Sequence, residues 1–198
     1  MSSSQRTLGS AKQLLRKELK EKLRQMSHQD KAEQSKIITT KLFSMDIYKQ
    51  SKSISLYLNM PTEVFTSDIL ADIFKSNKVC YIPRYIGKDM DMVYLKDQDD
   101  YDKLPVTSWN IKQPNDDEKR ESSLNGNGLD LVIVPGLGFT KSGFRLGRGK
   151  GYYDQYFHKY ENVFLKKPTT IGLAYTCQIK ESLPIDDFDV QLDYVLYP

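Results

Sequence analysis

Leu8, Ala11, Leu15, Leu19, Leu23 and Met26 recur at steps of three and four residues, which gathers them into one apolar stripe. The spacing predicts a helix over about residues 8–26, with Lys12, Arg16, Lys20 and Arg24 on an adjacent ridge. Ser27 stands three residues before Asp30, the pattern of an N-cap with a first-turn acid, so a second helix is expected to run to about Phe43. Residues 8–44 thus read as a helical arm.

The period then changes. Ser53–Met60 is an apolar strand, Ser67–Ser76 carries Ile69, Leu70, Ile73 and Phe74 at helical spacing, and Lys78–Arg84 returns to a strand. Strand, helix and strand in succession are the grammar of a βαβ unit. The apolar run Leu129–Val134, a glycine-rich segment and a helical Tyr152–Tyr160 repeat it, and Thr170–Tyr175 and Tyr194–Tyr197 supply further short strands. The expected fold class is α/β, a largely parallel sheet flanked by helices. Residues 113–128, rich in Asn, Gly and acid, read as an exposed connection.

Composition narrows the class of protein. A chain of 198 residues with 39% hydrophobic and 11% aromatic residues supports one buried core, so a single domain over residues 1–198 is expected. No stretch approaches the roughly 20 apolar residues of a membrane span, and the first residues lack the continuous apolar segment of a secretory signal. A cytoplasmic monomer with no membrane partner is the expectation. A net charge of +3 is small for a surface that binds nucleic acid. Cys80 and Cys177 fit no metal spacing, and His28 and His158 fit no zinc or triad pattern, so both histidines are expected at the surface.

Chemistry concentrates between Pro135 and Asp154, after a buried strand and at the start of a helix. Gly147, Gly149 and Gly151 at alternate positions let backbone amides turn inward, and the following helix points its positive end at whatever binds there. Arg145, Arg148 and Lys150 add cationic groups able to screen a polyphosphate. Asp154, one turn beyond Lys150, is placed to hold Mg²⁺, which takes one or two carboxylates and completes its shell with water and phosphate oxygens. The glycine spacing matches neither the P-loop nor the dinucleotide fingerprint, and a tight turn before a helix also uses glycine for purely structural reasons.

The segment Arg145-Leu-Gly-Arg-Gly-Lys-Gly-Tyr-Tyr-Asp154 resembles the hallmark of the 5-formyltetrahydrofolate cyclo-ligase family, also called methenyltetrahydrofolate synthetases. The likeness extends to the Ser10-Ala-Lys helix with Arg16, the Ser53–Met60 strand with Glu63 after it, Ile82-Pro-Arg-Tyr85, Pro135–Phe139 and the closing Asp189–Tyr197. It implies a three-layer fold of the sugar-phosphate isomerase and CoA-transferase type. It also implies ATP-dependent, Mg²⁺-requiring cyclisation of 5-formyltetrahydrofolate to 5,10-methenyltetrahydrofolate, through phosphorylation of the formyl oxygen and with release of ADP and phosphate.

Residue by residue, the resemblance assigns Lys12, Arg16 and Arg145, Leu146, Gly147, Arg148, Gly149, Lys150, Gly151, Tyr152 and Tyr153 to ATP. It assigns Leu58, Glu63 and Arg148 through Tyr152 to the folate, and Asp154 and Asp189 to the metal, with Asp193 as competitor. Lys150, Arg148 and Tyr153 are the expected catalytic groups; the Tyr153 ring equally suits packing on the sheet. Trp109 offers a stacking surface for a flat heterocycle or a packing residue at the rim. Thr140 stands where relatives often carry Asp and is left outside the site. Two other classes use the same cations: a basic nucleic-acid-binding protein, which needs neither Asp154 nor Glu63, and an ATP-independent sugar-phosphate isomerase or acyl-transfer enzyme.

Overall fold

The computed structural model describes residues 3–107 and 111–198. The helical arm comprises α1 (Ser3–Gln25) and α2 (His28–Ser44), followed by a short α3 (Asp46–Gln50). The chain continues through β1 (Ser53–Ser55), α4 (Ser67–Lys75), the hairpin β2 (Val79–Ile86) and β3 (Asp89–Leu95), and α5 (Gln98–Lys103). Then come β4 (Leu131–Val134), β5 (Gly138–Thr140), β6 (Arg145–Leu146), α6 (Tyr152–Phe164), β7 (Thr169–Leu173), β8 (Ile179–Lys180) and β9 (Tyr194–Leu196).

Six strands form the central sheet in the order β3-β2-β1-β4-β7-β9. Every pairing is parallel except β2 with β3. A second sheet, β6-β5-β8, has three short strands. The alternation in β4 explains the layers: Leu131 and Ile133 join the apolar cluster that includes Leu19, Leu23, Ile38, Leu42 and Ile69, whereas Val132 and Val134 join Tyr153, Tyr156, Phe157 and Tyr160. Helices α1, α2 and α4 therefore cover one face and α6 the other. Each fully buried β4 side chain contributes about 1.5–3 kcal/mol before chain entropy is counted.

The N-cap forms as the sequence implies, with the Ser27 hydroxyl accepting from the Asp30 N–H at 3.0 Å. Two expectations need correction. The strand predicted over Ser53–Met60 is regular only to Ser55: the Leu56 N–H still bonds the Tyr81 carbonyl of β2 (2.9 Å), and beyond it side chains take over, the Thr66 hydroxyl donating to the Tyr57 carbonyl (2.9 Å) and the Met60 N–H donating to Glu63 Oε2 (2.9 Å). On α1, Lys12 rather than Ala11 turns inward; Lys12 is 8% exposed and Ala11 lies on the outside.

The connection 113–128 is also less exposed than its composition suggests. Part of it runs along β3, where Tyr94 N–H donates to Glu121 O (2.9 Å) and Ser123 N–H to Met92 O (2.8 Å), and Ser123 is fully buried. No helix among the described residues is long and apolar enough to cross a membrane.

The strand order carries one functional consequence. From β1 the chain moves to β2 on one side, while β4 and β7 extend the sheet on the other. The crevice at the carboxyl ends of β1 and β4 is thus a topological switch point, where open α/β sheets bind ligands.

Candidate functional site

A cleft of about 340 Å³ opens at this switch point. Tyr57, Leu58, Met60 and Glu63 reach it from the segment after β1, Pro83 and Tyr85 from β2, and Pro135 and Gly136 from the end of β4. Arg145, Gly147, Arg148, Lys150, Gly151, Tyr152, Tyr153 and Asp154 form the opposing wall. One wall is largely apolar and aromatic, and the other combines glycines and cations with Tyr152, Tyr153 and Asp154.

The glycine turn needs its glycines. Gly149 has φ +105° and Gly151, which caps α6, has φ +68°, left-handed values that L side chains adopt with strain. Arg16 of α1 lies against the turn, donating from Nε to the Gly147 carbonyl at 2.9 Å. Arg148 crosses to the β1 side, where Nε and Nη2 donate to Glu63 Oε1 at 3.2 and 3.0 Å. The other Glu63 oxygen accepts from the Met60 N–H at 2.9 Å, so a 7%-exposed carboxylate is held from two directions. Lys150 is exposed and forms no ion pair among the described residues.

Behind the turn lie two further ion-pair groups. Arg145 Nη2 donates to Asp154 Oδ1 at 2.7 Å, and the same oxygen accepts from the Val190 N–H at 3.2 Å. Lys12 Nζ donates to Asp189 Oδ2 (2.6 Å) and Asp186 Oδ2 (2.7 Å). Burial works to lower the Lys12 pKa, but the bonds to Asp186 and Asp189 outweigh it and hold the ammonium above its ordinary value. The Asp154 bond to the Val190 N–H ties the segment that follows Asp189 to the first turn of α6.

These carboxylates suit a hard divalent ion. Only one oxygen of each is hydrogen-bonded among the described residues, Oδ1 of Asp154 and Oδ2 of Asp189, leaving one apiece for a metal. Among the described residues no group of three or more His, Cys, Asp or Glu side chains is placed to hold a metal ion by itself. Asp193 belongs elsewhere: its Oδ2 accepts from both the N–H and the hydroxyl of Thr170 at 2.8 Å, tying the start of β9 to β7. Thr140 closes the β5–β6 turn, accepting from the Phe144 N–H at 3.0 Å.

The phenol of Tyr153 is buried beside Tyr85 and has no hydrogen bond of standard geometry among the described residues. Burial, then the neighbouring Tyr85 and the Glu63 charge, push its pKa well up, so it stays a neutral donor. Burial and the Glu63 charge do the same for Tyr85. Sequence reading missed Tyr85 and Asp186; Tyr85 was signalled by the motif Ile82-Pro-Arg-Tyr85, and Asp186 by the acid-rich run Asp186-Asp-Phe-Asp189. Leu146 is buried beneath the turn, and Trp109 lies outside the described residues.

The model of the 5-formyltetrahydrofolate cyclo-ligase family matches residues 9–198. The chain belongs to this family. The mouse 5-formyltetrahydrofolate cyclo-ligase is 47% identical over 96% of this chain and 95% of its own length. A probable cyclo-ligase of Caenorhabditis elegans is 35% identical over 92% and 90%. The NMR structure of Aquifex aeolicus 5,10-methenyltetrahydrofolate synthetase aligns with a TM-score of 0.75 at 28% identity, covering 93% of this chain and 88% of that one. The cyclo-ligase family resemblance read from the glycine turn therefore holds along nearly the whole chain, and its α/β fold is the one found here.

Proposed function

We propose that this enzyme closes the ring of 5-formyltetrahydrofolate at the expense of ATP, giving 5,10-methenyltetrahydrofolate, ADP and phosphate. The observation that carries the reading is the left-handed glycine turn at the N-terminus of α6, facing an apolar, tyrosine-rich wall across a single cleft. One side suits a polyphosphate and the other a flat heterocycle.

The oxygen of a formamide leaves poorly, so it first attacks the terminal phosphorus of ATP, and the bond from that phosphorus to the bridging oxygen breaks to release ADP. The neighbouring folate nitrogen then attacks the activated carbon, the carbon–oxygen bond breaks, phosphate departs and the nitrogen gives up its proton. Positioning and charge neutralisation dominate such a phosphoryl transfer. In this reading the amides of Gly147–Gly151, with Arg16, Arg145 and Lys12, hold the phosphates. Lys150, exposed and unpaired among the described residues, meets the transferred group.

Leu58, Tyr57 and Met60 cover the pterin, Glu63 accepts from its amino and ring N–H groups, and the Tyr153 hydroxyl donates to the formyl or phosphate oxygen. Mg²⁺ would be held by Asp154 and Asp189 and would neutralise phosphate charge. Lys12, Arg145 and Arg148 are paired with carboxylates, which leaves little free positive charge for the run of phosphates along a nucleic-acid backbone.

The direct test mixes the purified protein with ATP, Mg²⁺ and 5-formyltetrahydrofolate and follows methenyl absorbance. Growth of that absorbance only when all three are present is the expected result; its absence, or its appearance without ATP, overturns the proposal.

A further inference from the structure

Lys12 is held by two carboxylates, and the geometry around them is unequal. Besides the ammonium, Asp186 Oδ1 accepts from the Phe188 N–H at 3.0 Å, so both Asp186 oxygens are engaged. Asp189 Oδ2 accepts from Lys12 and from the Asp186 N–H (2.9 Å), while its Oδ1 has no hydrogen bond among the described residues. The Asp189 N–H closes the turn on the Asp186 carbonyl at 3.1 Å. The turn thus fixes Asp186 onto Lys12 and leaves Asp189 with an open oxygen.

A lysine ammonium has three donors. Two are spent on these carboxylates, and the third remains for a phosphate oxygen. Were Asp189 to take up a divalent ion, its hold on Lys12 would weaken, and Asp186 would be the group left to aim a flexible four-carbon side chain.

We propose that Asp186 is a positioning residue, which keeps the Lys12 ammonium directed at the nucleotide phosphates when Asp189 turns to the metal. This rests on the nucleotide reading of Lys12. The competing effect, repulsion between Asp186 and phosphate, is screened, because the Asp186 side chain is 39% exposed whereas Lys12 is 10% exposed. Loss of aim outweighs relief of repulsion.

The test compares Asp186→Asn, Asp186→Glu, Lys12→Met and the double variant Lys12→Met/Asp186→Asn. Equilibrium binding of ATP with Mg²⁺ is measured by calorimetry, with KM for each substrate, kcat and thermal melting alongside. Asp186→Asn should weaken ATP binding about five- to tenfold, the loss of one charge-assisted hydrogen bond, with the folate KM nearly unchanged and a fall of no more than a few degrees in melting temperature, about the same as in Lys12→Met. Asp186→Glu should recover part of the loss, and Asp186→Asn should add nothing in the Lys12→Met background. Unaltered or tighter ATP binding in Asp186→Asn, or an equal loss with and without Lys12, overturns the proposal. Unaltered ATP binding in Lys12→Met overturns the nucleotide reading of that lysine, and the proposal with it.

Discussion

The guanidinium of Arg148 reaches from the glycine turn to Glu63, placing Nε and Nη2 at 3.2 and 3.0 Å from one carboxylate oxygen. The pair joins the cationic wall of the cleft to the segment after β1, so each residue sets the position of the other. Glu63→Gln removes the charge but keeps the shape. It should raise the folate KM at saturating ATP and lower stability by about 1–3 kcal/mol, as a largely buried charge-assisted bond is lost. Substrate titration and thermal melting measure both; an unchanged folate KM rejects the assignment of Glu63 to the pterin.

Lys150 offers the cleanest separation of chemistry from folding. Its side chain is exposed and unpaired among the described residues, so Lys150→Ala should alter stability by no more than about 0.5 kcal/mol. If it meets the transferred phosphoryl group, kcat/KM should fall by about 10²-fold or more. A variant that melts normally and turns over normally removes Lys150 from the mechanism.

Asp154→Asn tests an ion pair and a proposed metal ligand together. The substitution weakens the hold on Arg145, whose side chain is only 4% exposed, at a cost of about 1.5–3 kcal/mol. If Asp154 also holds Mg²⁺ as proposed, the Mg²⁺ concentration for half-maximal activity should rise. A Mg²⁺ titration that superimposes on the original, in a variant shown to be less stable, assigns Asp154 to Arg145 alone.

Much of the architecture was legible because long periodic elements announce themselves. The Ser27 cap, the α4 stripe and the apolar run of β4 follow local rules, and the glycine spacing anticipates a turn that closes with two left-handed residues. The second sheet was illegible, since strands of two or three residues have no measurable period. The edge strand β3 was overlooked although Met90 and Met92 alternate toward the core. The inward turn of Lys12 could not be read from α1 at all: its partners, Asp186 and Asp189, lie more than 170 residues away. Composition likewise hid Arg120, which bonds both oxygens of Asp100 at 2.7 and 2.6 Å from within a segment that looks like a loop.

That last pair predicts a response to acid. The hydrogen bonds from Arg120 hold the Asp100 carboxyl below its ordinary value of 3.8, so the folded state binds its proton less readily than the unfolded one. The stability it contributes is complete above that ordinary value and is lost as pH falls through the lower folded pKa. Asp100→Asn should therefore cost about 1.5–3 kcal/mol at neutral pH, and the gap between variant and parent should narrow under strongly acid conditions. Denaturant unfolding at a series of pH values measures it; a gap independent of pH rules out the charge as its source.

Gly143 holds the segment that carries Asp189 and Val190 through its bond to Leu192. It sits in the β5–β6 turn with φ +99°, its carbonyl accepts from the Leu192 N–H at 2.9 Å, and a Cβ there would come within 2.1 Å of the Leu192 carbonyl oxygen. The clash is with backbone, which has no rotamer to escape into. Gly143→Ala must therefore displace the chain around Leu192, three residues from Asp189, and adopt a strained conformation as well. The two costs together come to about 2–6 kcal/mol. Because the displaced segment carries Asp189 and Val190, whose N–H bonds Asp154, any folded fraction should also need more Mg²⁺. Reduced melting temperature with a normal metal requirement would mean that the segment absorbs the displacement before it reaches Asp189, and would place the rigid boundary of the site between Leu192 and Val190.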